Sequence, residues 1–283
     1  MAINIDVNGF SDESADKNPE TMFIKAGNRL ARFVSYVELG KHVQKFKGAP
    51  AVYETGKKAG CKKPPILHVA LLFEFPGEEH TGDYPLCIGT TRQMQTGEFF
   101  DAVTVPESLA AGTMKRAYAM RTRFVKYLTA MQAATGRNYM NFSDFAKERP
   151  GVMINVTNKL GPKAEDGSQR TYANMKPEGI VPPRFEHPAS GDIQELEVPP
   201  ATGEYCTSFE WDAPTPKSWT SLPTWHKATI KAAVNFDGSP TYMMLLDCPE
   251  LDALTEPGKD QDQSRNDLPE PPSDPMEQED IPL

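Results

Sequence analysis

Four cysteines, five histidines and one acidic turn are the groups through which this chain could do covalent or metal chemistry. Cys61, Cys87, Cys206 and Cys248 lie 26, 119 and 42 positions apart. No pair has the close C-x₂₋₄-C spacing that lets two thiolates share one zinc, and no His follows at ligand distance. They read as free thiols in a reducing cytoplasm. His42, His68, His80, His187 and His226 are scattered, and none sits in a nucleophile motif. Glu78-Glu79-His80 with Asp83 is the best metal or acid–base candidate. It follows Pro76-Gly77 between two predicted strands, where charge is expected for solvation alone. Cys61 among lysines has the setting of a lowered thiol pKa, yet it reads as an accessible, non-catalytic thiol. Thr55-Gly56-Lys57-Lys58 lacks the preceding Gly and following Ser or Thr of a phosphate-binding loop, and G-x-S-x-G, H-E-x-x-H and G-x-G-x-x-G are absent. The expectation is a protein with no catalytic residue, no metal and no cofactor.

What the chain does have is uneven charge. Its 283 residues carry 30 Lys+Arg and 39 Asp+Glu, a net of −9. Residues 250–283 hold eleven acids and two bases, and residues 1–20 hold five acids and one base. The remaining 21–249 is therefore mildly basic, at a net of +4. The last stretch has six prolines and no aromatic residue, so it buries too little apolar surface to offset the entropy of ordering. It reads as a disordered acidic tail. Its end, Glu279-Asp280-Ile281-Pro282-Leu283, suits a small partner pocket that takes an aliphatic side chain while basic residues grip the carboxylates. Two basic concentrations stand against it. Residues 41–63 contain seven lysines and one acid with Phe46 and Tyr53 between them, and 109–137 contain six bases and no acid. Lysines neutralise phosphates and rings stack on bases, so this mixture suits a nucleic-acid strand. No apolar run reaches the ~20 residues of a membrane span, and the N-terminus has no secretory pattern. A cytoplasmic protein without a membrane partner is expected.

The elements that must position these groups are mostly strands. Alternation over 29–47 puts Phe33, Val37 and Leu39 on one face and Arg32, Val34 and Tyr36 on the other, with a bend near Gly40. Residues 64–75 form the clearest strand, with Leu67, Val69, Leu71, Phe73 and Phe75 on one face, and a third strand falls around 84–92. A helix over 107–134 follows, with a seam of Ala117, Met120, Phe124, Leu128 and Met131 and a capping box from Thr104 to Glu107. Strands are expected over 152–159 and 170–181, a further strand near 205–211, a helix over 221–236 capped by Ser221, and a last strand over 241–246. Three strands, a helix and two strands is the order of an OB-fold, a five-stranded barrel with its helix between strands 3 and 4. The fold expected is mainly β: an OB-fold-like barrel, a small C-terminal α/β extension and the acidic tail.

A basic β-rich body with an acidic tail ending Asp280-Ile281-Pro282-Leu283 resembles single-stranded DNA-binding proteins, of bacteriophage replication systems in particular. Bacterial members end in acids followed by Ile-Pro-Phe, and the stretch 170–183 (RTYANMKPEGIVPP) looks like a late barrel strand of phage members. Leu283 stands where the bacterial tail has Phe, and 186–249 has no counterpart. The resemblance implies a non-catalytic protein that coats single strands in replication, recombination and repair. Its tail would recruit a polymerase, helicase or nuclease. On this reading 1–20 is a flexible arm, 21–185 the nucleic-acid-binding domain, 186–249 an extension that packs on the barrel or mediates self-association, and 250–283 the tail. The binding surface is expected to comprise Tyr36, Lys41, Lys45, Phe46, Tyr53, Lys57, Lys58, Lys62, Arg92 and Tyr172, with Asp280, Ile281, Pro282 and Leu283 contacting the partner. A stacking groove accepts DNA and RNA alike. Two alternatives stay open: a metal-dependent recombination enzyme or nuclease subunit with ligands such as Glu74, Asp83 and Asp101, and a protein-interaction adaptor without a nucleic-acid role.

Overall fold

The alternation expected over 29–47 folds as one long strand, β1 (Gly27–His42), at the centre of the molecule. The structure is a computed structural model that describes residues 24–46, 49–78, 85–90, 102–163, 169–187 and 190–253. After β1 come the short β2 (Lys45–Phe46) and β3 (Ala49–Pro50), then β4 (Ile66–Glu74), β5 (Cys87–Gly89) and β6 (Val103–Val105). Helices α1 (Glu107–Ala110), α2 (Arg116–Ala119), α3 (Arg123–Thr135) and α4 (Phe142–Glu148) follow. The chain returns through the long antiparallel pair β7 (Gly151–Lys163) and β8 (Gln169–Val181), and a two-stranded ribbon, β9 (Arg184–Glu186) and β10 (Ile193–Glu195). It ends in β11 (Ser208–Phe209), α5 (Pro216–Thr220), α6 (Thr224–Lys231), α7 (Pro240–Asp247) and α8 (Glu250–Ala253).

The main sheet runs β5-β4-β1-β7-β8, all antiparallel, with β6 added to β4 and β11 added parallel to β1. Strands β7 and β11 share one edge of β1: Gly27–Arg32 pair with β7, and Tyr36–Val37 pair with β11. The sheet is not a closed barrel. Cα atoms of β5 and β8 come within 8 Å of each other, but among the described residues no ladder joins them.

Both faces of the sheet are covered, so there are two cores. The first holds Val69, Leu71, Phe73 and Phe75 of the β4 region, as their spacing predicts, together with Ile154, Val156 and the helical residues Tyr127, Met131, Phe142 and Phe145. The second holds Val37, Leu39 and Ala70 against Phe209, Trp211, Trp219, Ile230 and Leu245. The extension thus packs on the outer face of β1 and β4, and Trp219 is completely buried there. Leu251 of α8 belongs to the same core, and its carbonyl accepts from Trp219 Nε1 at 3.3 Å. The packed body therefore runs through α8, past the boundary expected at 250.

Several local expectations change. Strict alternation along β1 is broken by a register shift between Phe33 and Ser35. One extra residue in a ladder reverses the parity of all that follows. Tyr36 consequently joins Ala31 and Phe33 in the first core, while Val37 and Leu39 turn to the second. The helix expected over 107–134 is three pieces, broken at Gly112, whose φ is 68°, and again before Thr122, which caps α3. Ala117 and Met120 are exposed, and only the Phe124–Met131 part of the seam packs. Thr104 lies in β6 and caps nothing; the N-cap of α1 is Pro106. Ser221 ends α5 and does not start α6, whose N-cap is Pro223. The segment 241–246 is helical, because Ser239 caps the Tyr242 N–H and Pro240 occupies the first turn.

Candidate nucleic-acid interface

The lysine-rich stretch between β1 and β4 is a folded arm. Strands β2 and β3 pair Lys45 with Pro50 and Phe46 with Ala49. The chain then doubles back: Ala51 N–H donates to the Gln44 carbonyl at 2.7 Å, and Lys63 N–H to the Ala51 carbonyl at 2.8 Å. Val52 bridges Lys62, and Tyr53 N–H donates to the Cys61 carbonyl at 2.9 Å. Gly56 and Gly60, at φ of 81° and 80°, close the outer turn through a backbone conformation that side chains disfavour. Apart from Ala51, little of the arm between 49 and 65 is buried, so its shape comes from backbone bonds rather than from a core.

That turn carries Lys57, Lys58 and Lys62, all exposed and without a carboxylate partner among the described residues. Tyr53 is half-buried, with Lys58 Nζ at 5.9 Å and Lys63 Nζ at 5.8 Å from its ring centroid. An aromatic ring beside ammonium groups is the combination that stacks a base and neutralises its phosphate. Cys61 sits in the same turn as an exposed free thiol; Cys87 and Cys206 are buried, and Cys248 is half-buried. At the base of the arm, Lys41 Nζ meets Glu107 Oε1 at 3.1 Å, and its backbone is held by the Asn235 side chain and the Val234 N–H.

Other expected contact residues fall elsewhere. Tyr36 faces the first core: it is 6% exposed, its ring stacks on Phe142, and its hydroxyl donates to Glu38 Oε1 at 2.8 Å. Burial first, and the Glu38 carboxylate second, push its pKa far above the phenol range. It cannot stack on a base, because both faces of β1 are covered there; the register shift decides only which core it joins. Lys45 and Phe46 form β2 and Tyr172 pairs with Lys159 in β8, but the side chains of Lys45, Phe46 and Tyr172 lie outside the described residues. Arg92, Asp280, Ile281, Pro282 and Leu283 lie outside them altogether. The arm therefore brings together Tyr53, Lys57, Lys58 and Lys62, with Lys63 as the neighbour that sequence reading left out. Lys63 was legible as one more charge in the run, not as the cation over the ring.

The acidic candidates are occupied or outside the described residues. Glu78 pairs with Arg29 at 3.2 Å, whereas Glu79, His80, Asp83 and Asp101 are not described. Glu74 is 1% exposed. Its Oε1 accepts from the Thr202 N–H and hydroxyl at 2.7 and 2.8 Å, and its Oε2 from Gly203 N–H at 3.2 Å and Tyr205 OH at 2.7 Å. Four internal donors leave that carboxylate no lone pair aimed at solvent. Tyr205 OH also lies 3.2 Å from Cys87 Sγ, whose pKa burial pushes up to about 12. No group of three His, Cys, Asp or Glu able to hold a metal occurs among the described residues.

A second surface feature, a groove of about 560 Å³ lined by Arg32, Arg137, Glu148 and Arg149, offers less. Arg32 donates to the carbonyls of Val198, Pro199 and Arg149, and Arg137 pairs with Glu148. Arg32 is thus committed to the backbone, and Arg137 is matched by a carboxylate at the surface. Among the described residues no helix is long and apolar enough to cross a membrane. No protein-family model matches the chain, and no curated protein or solved structure matches it either.

Proposed function

We propose that this chain is a non-catalytic single-stranded DNA-binding protein that coats and protects single strands in replication and recombination, and recruits partners through its acidic C-terminal residues. One observation carries the reading: an exposed backbone-built arm that sets Lys58 and Lys63 beside the Tyr53 ring and holds the exposed Lys57 and Lys62 in the same turn. The cations act on phosphates and the ring on bases, so the strand is held with little reading of sequence.

The strand order supports an OB-fold-like body. With β1, β4, β5, β7 and β8 as strands one to five, the sheet order is 3-2-1-4-5, and α3 falls between the third and fourth. The arm is then the loop between strands one and two, one of the two loops with which OB-folds hold oligonucleotides. The acidic residues beyond Ala253 imitate a polyanion and compete with the strand for the same cations.

The test is fluorescence anisotropy of a labelled single-stranded oligonucleotide, with a duplex control and a salt series. Tight binding that favours the single strand and weakens steeply with salt is expected. Tyr53→Ala should lower affinity by about 5- to 150-fold, the ~1–3 kcal/mol of one stacked base. Absence of binding at low salt, in the full chain and in a chain ending at Ala253, would discard the reading.

A further inference from the structure

The basic stretch over 109–137 resolves into a surface of its own. Within 102–143 the only acid is Glu107, and it is engaged by Lys41. Lys115, Arg116, Arg121 and Arg123 are exposed and Lys126 half-buried, and none pairs with a carboxylate among the described residues. Five cations thus occupy 12 consecutive positions, 115–126, spanning α2 and the first turn of α3. Arg123 and Lys126 stand in the first turn of α3, where a cation adds to the positive end of the helix dipole instead of compensating it. That choice works against the free helix and favours a bound polyanion.

Two of the three rings in this segment are packed away: Phe124 lies edge-on to Phe142 at 5.3 Å, and Tyr127 lies fully inside beneath the Arg123 guanidinium, while Tyr118 is half-buried. The Lys41–Glu107 ion pair ties the first residue of α1 to the base of the arm. We infer that the α2–α3 surface is a phosphate-tracking extension of the strand path, with Lys115, Arg116, Arg121, Arg123 and Lys126 neutralising the backbone and leaving the bases untouched. The inference rests on the single-strand reading of the arm and divides the interface into a stacking part and a purely electrostatic part.

The experiment compares the full chain with Arg116→Ala/Arg121→Ala, both exposed and without a carboxylate partner among the described residues, after circular dichroism shows that the variant keeps its fold. Affinity for labelled oligothymidylate and oligoadenylate is measured across a salt series. Two lost phosphate contacts should reduce the slope of log affinity against log salt by about 1.4, since each single-strand contact contributes ~0.7. The ratio of the two affinities should stay at its wild-type value. A wild-type slope in the folded variant overturns this inference alone, as does a changed base ratio. A full chain that binds neither probe overturns the single-strand reading together with it.

Discussion

Glu74 shows how one side chain can hold a distant segment. It sits at the end of β4, 128 positions before Thr202, yet its carboxylate gathers the donors of Thr202, Gly203 and Tyr205. Burial alone would raise its pKa; the four hydrogen bonds outweigh burial and hold it below the usual carboxylate range. Glu74→Ala strands those donors and should cost on the order of 3 kcal/mol in urea unfolding. Because the folded pKa is depressed, the contribution is full above the ordinary value of ~4.3 and is lost as pH falls through the folded value. Glu74→Gln should flatten that acid limb, and an unchanged limb would assign it to other carboxylates. His68 acts at a higher pH. Its ring lies 4.9 Å from that of His42 beneath the arm, and burial, then His42, lower its pKa to about 4. The unfolded chain takes up this proton near pH 6.5 and the folded one only near 4, so stability falls as pH drops across that window. His68→Gln should remove this slope between pH 6.5 and 4 in the same melts.

At the scale of elements, β1 is one strand serving two cores, and its two register shifts make that workable. The shift after Glu38 coincides with Gly40, whose φ is 83°. A Cβ there would overlap the Trp211 ring and lie 2.6 Å from Ala233 Cβ. Gly40→Ala therefore combines left-handed strain with overpacking and should destabilise by about 2–4 kcal/mol, measured as a lowered denaturation midpoint. The arm is the opposite case. Its turns rest on backbone hydrogen bonds and two positive-φ glycines, so lysine substitutions in it should change binding while leaving the melting temperature within about 2 °C.

For the whole molecule, the second core decides where the body ends. Trp219, Phe209 and Leu251 close it over the outer face of β1 and β4. A chain ending at Ala253 should match the full chain in stability and, on the proposed function, bind single strands more tightly at low salt, since the acidic residues beyond it would no longer compete for the same cations. A chain ending at Pro249 also removes Leu251 and should lose about 2–3 kcal/mol. Equal denaturation midpoints for the two truncations would contradict the packing of α8. Equal or weaker binding by the chain ending at Ala253 would argue against competition.

The residues of the chain determine by themselves whatever depends on local pattern. The β4 alternation of Val69, Leu71, Phe73 and Phe75 can face only one core, and the lysine run with Tyr53 can only be solvated or bound to anions, so both were legible. The strand-forming runs over 152–159 and 170–181 were legible as strands, whereas their antiparallel pairing, and the run of β7 on to Lys163, came from the structure. What depends on parity or on contacts far apart in sequence was not legible. The covering of both faces of β1 put Tyr36 in a core instead of at the expected interface, one unpaired residue chose which core, and no local signal marks either. Ser239-Pro240 did carry a helix-start signal, which a short apolar run over 241–246 masked. The outer core joins positions 37–39 to 209–251, and Lys63 meets Tyr53 only after the arm doubles back. Tertiary structure decided these because burial free energy belongs to faces brought together by the whole chain, and a linear pattern does not specify which faces meet.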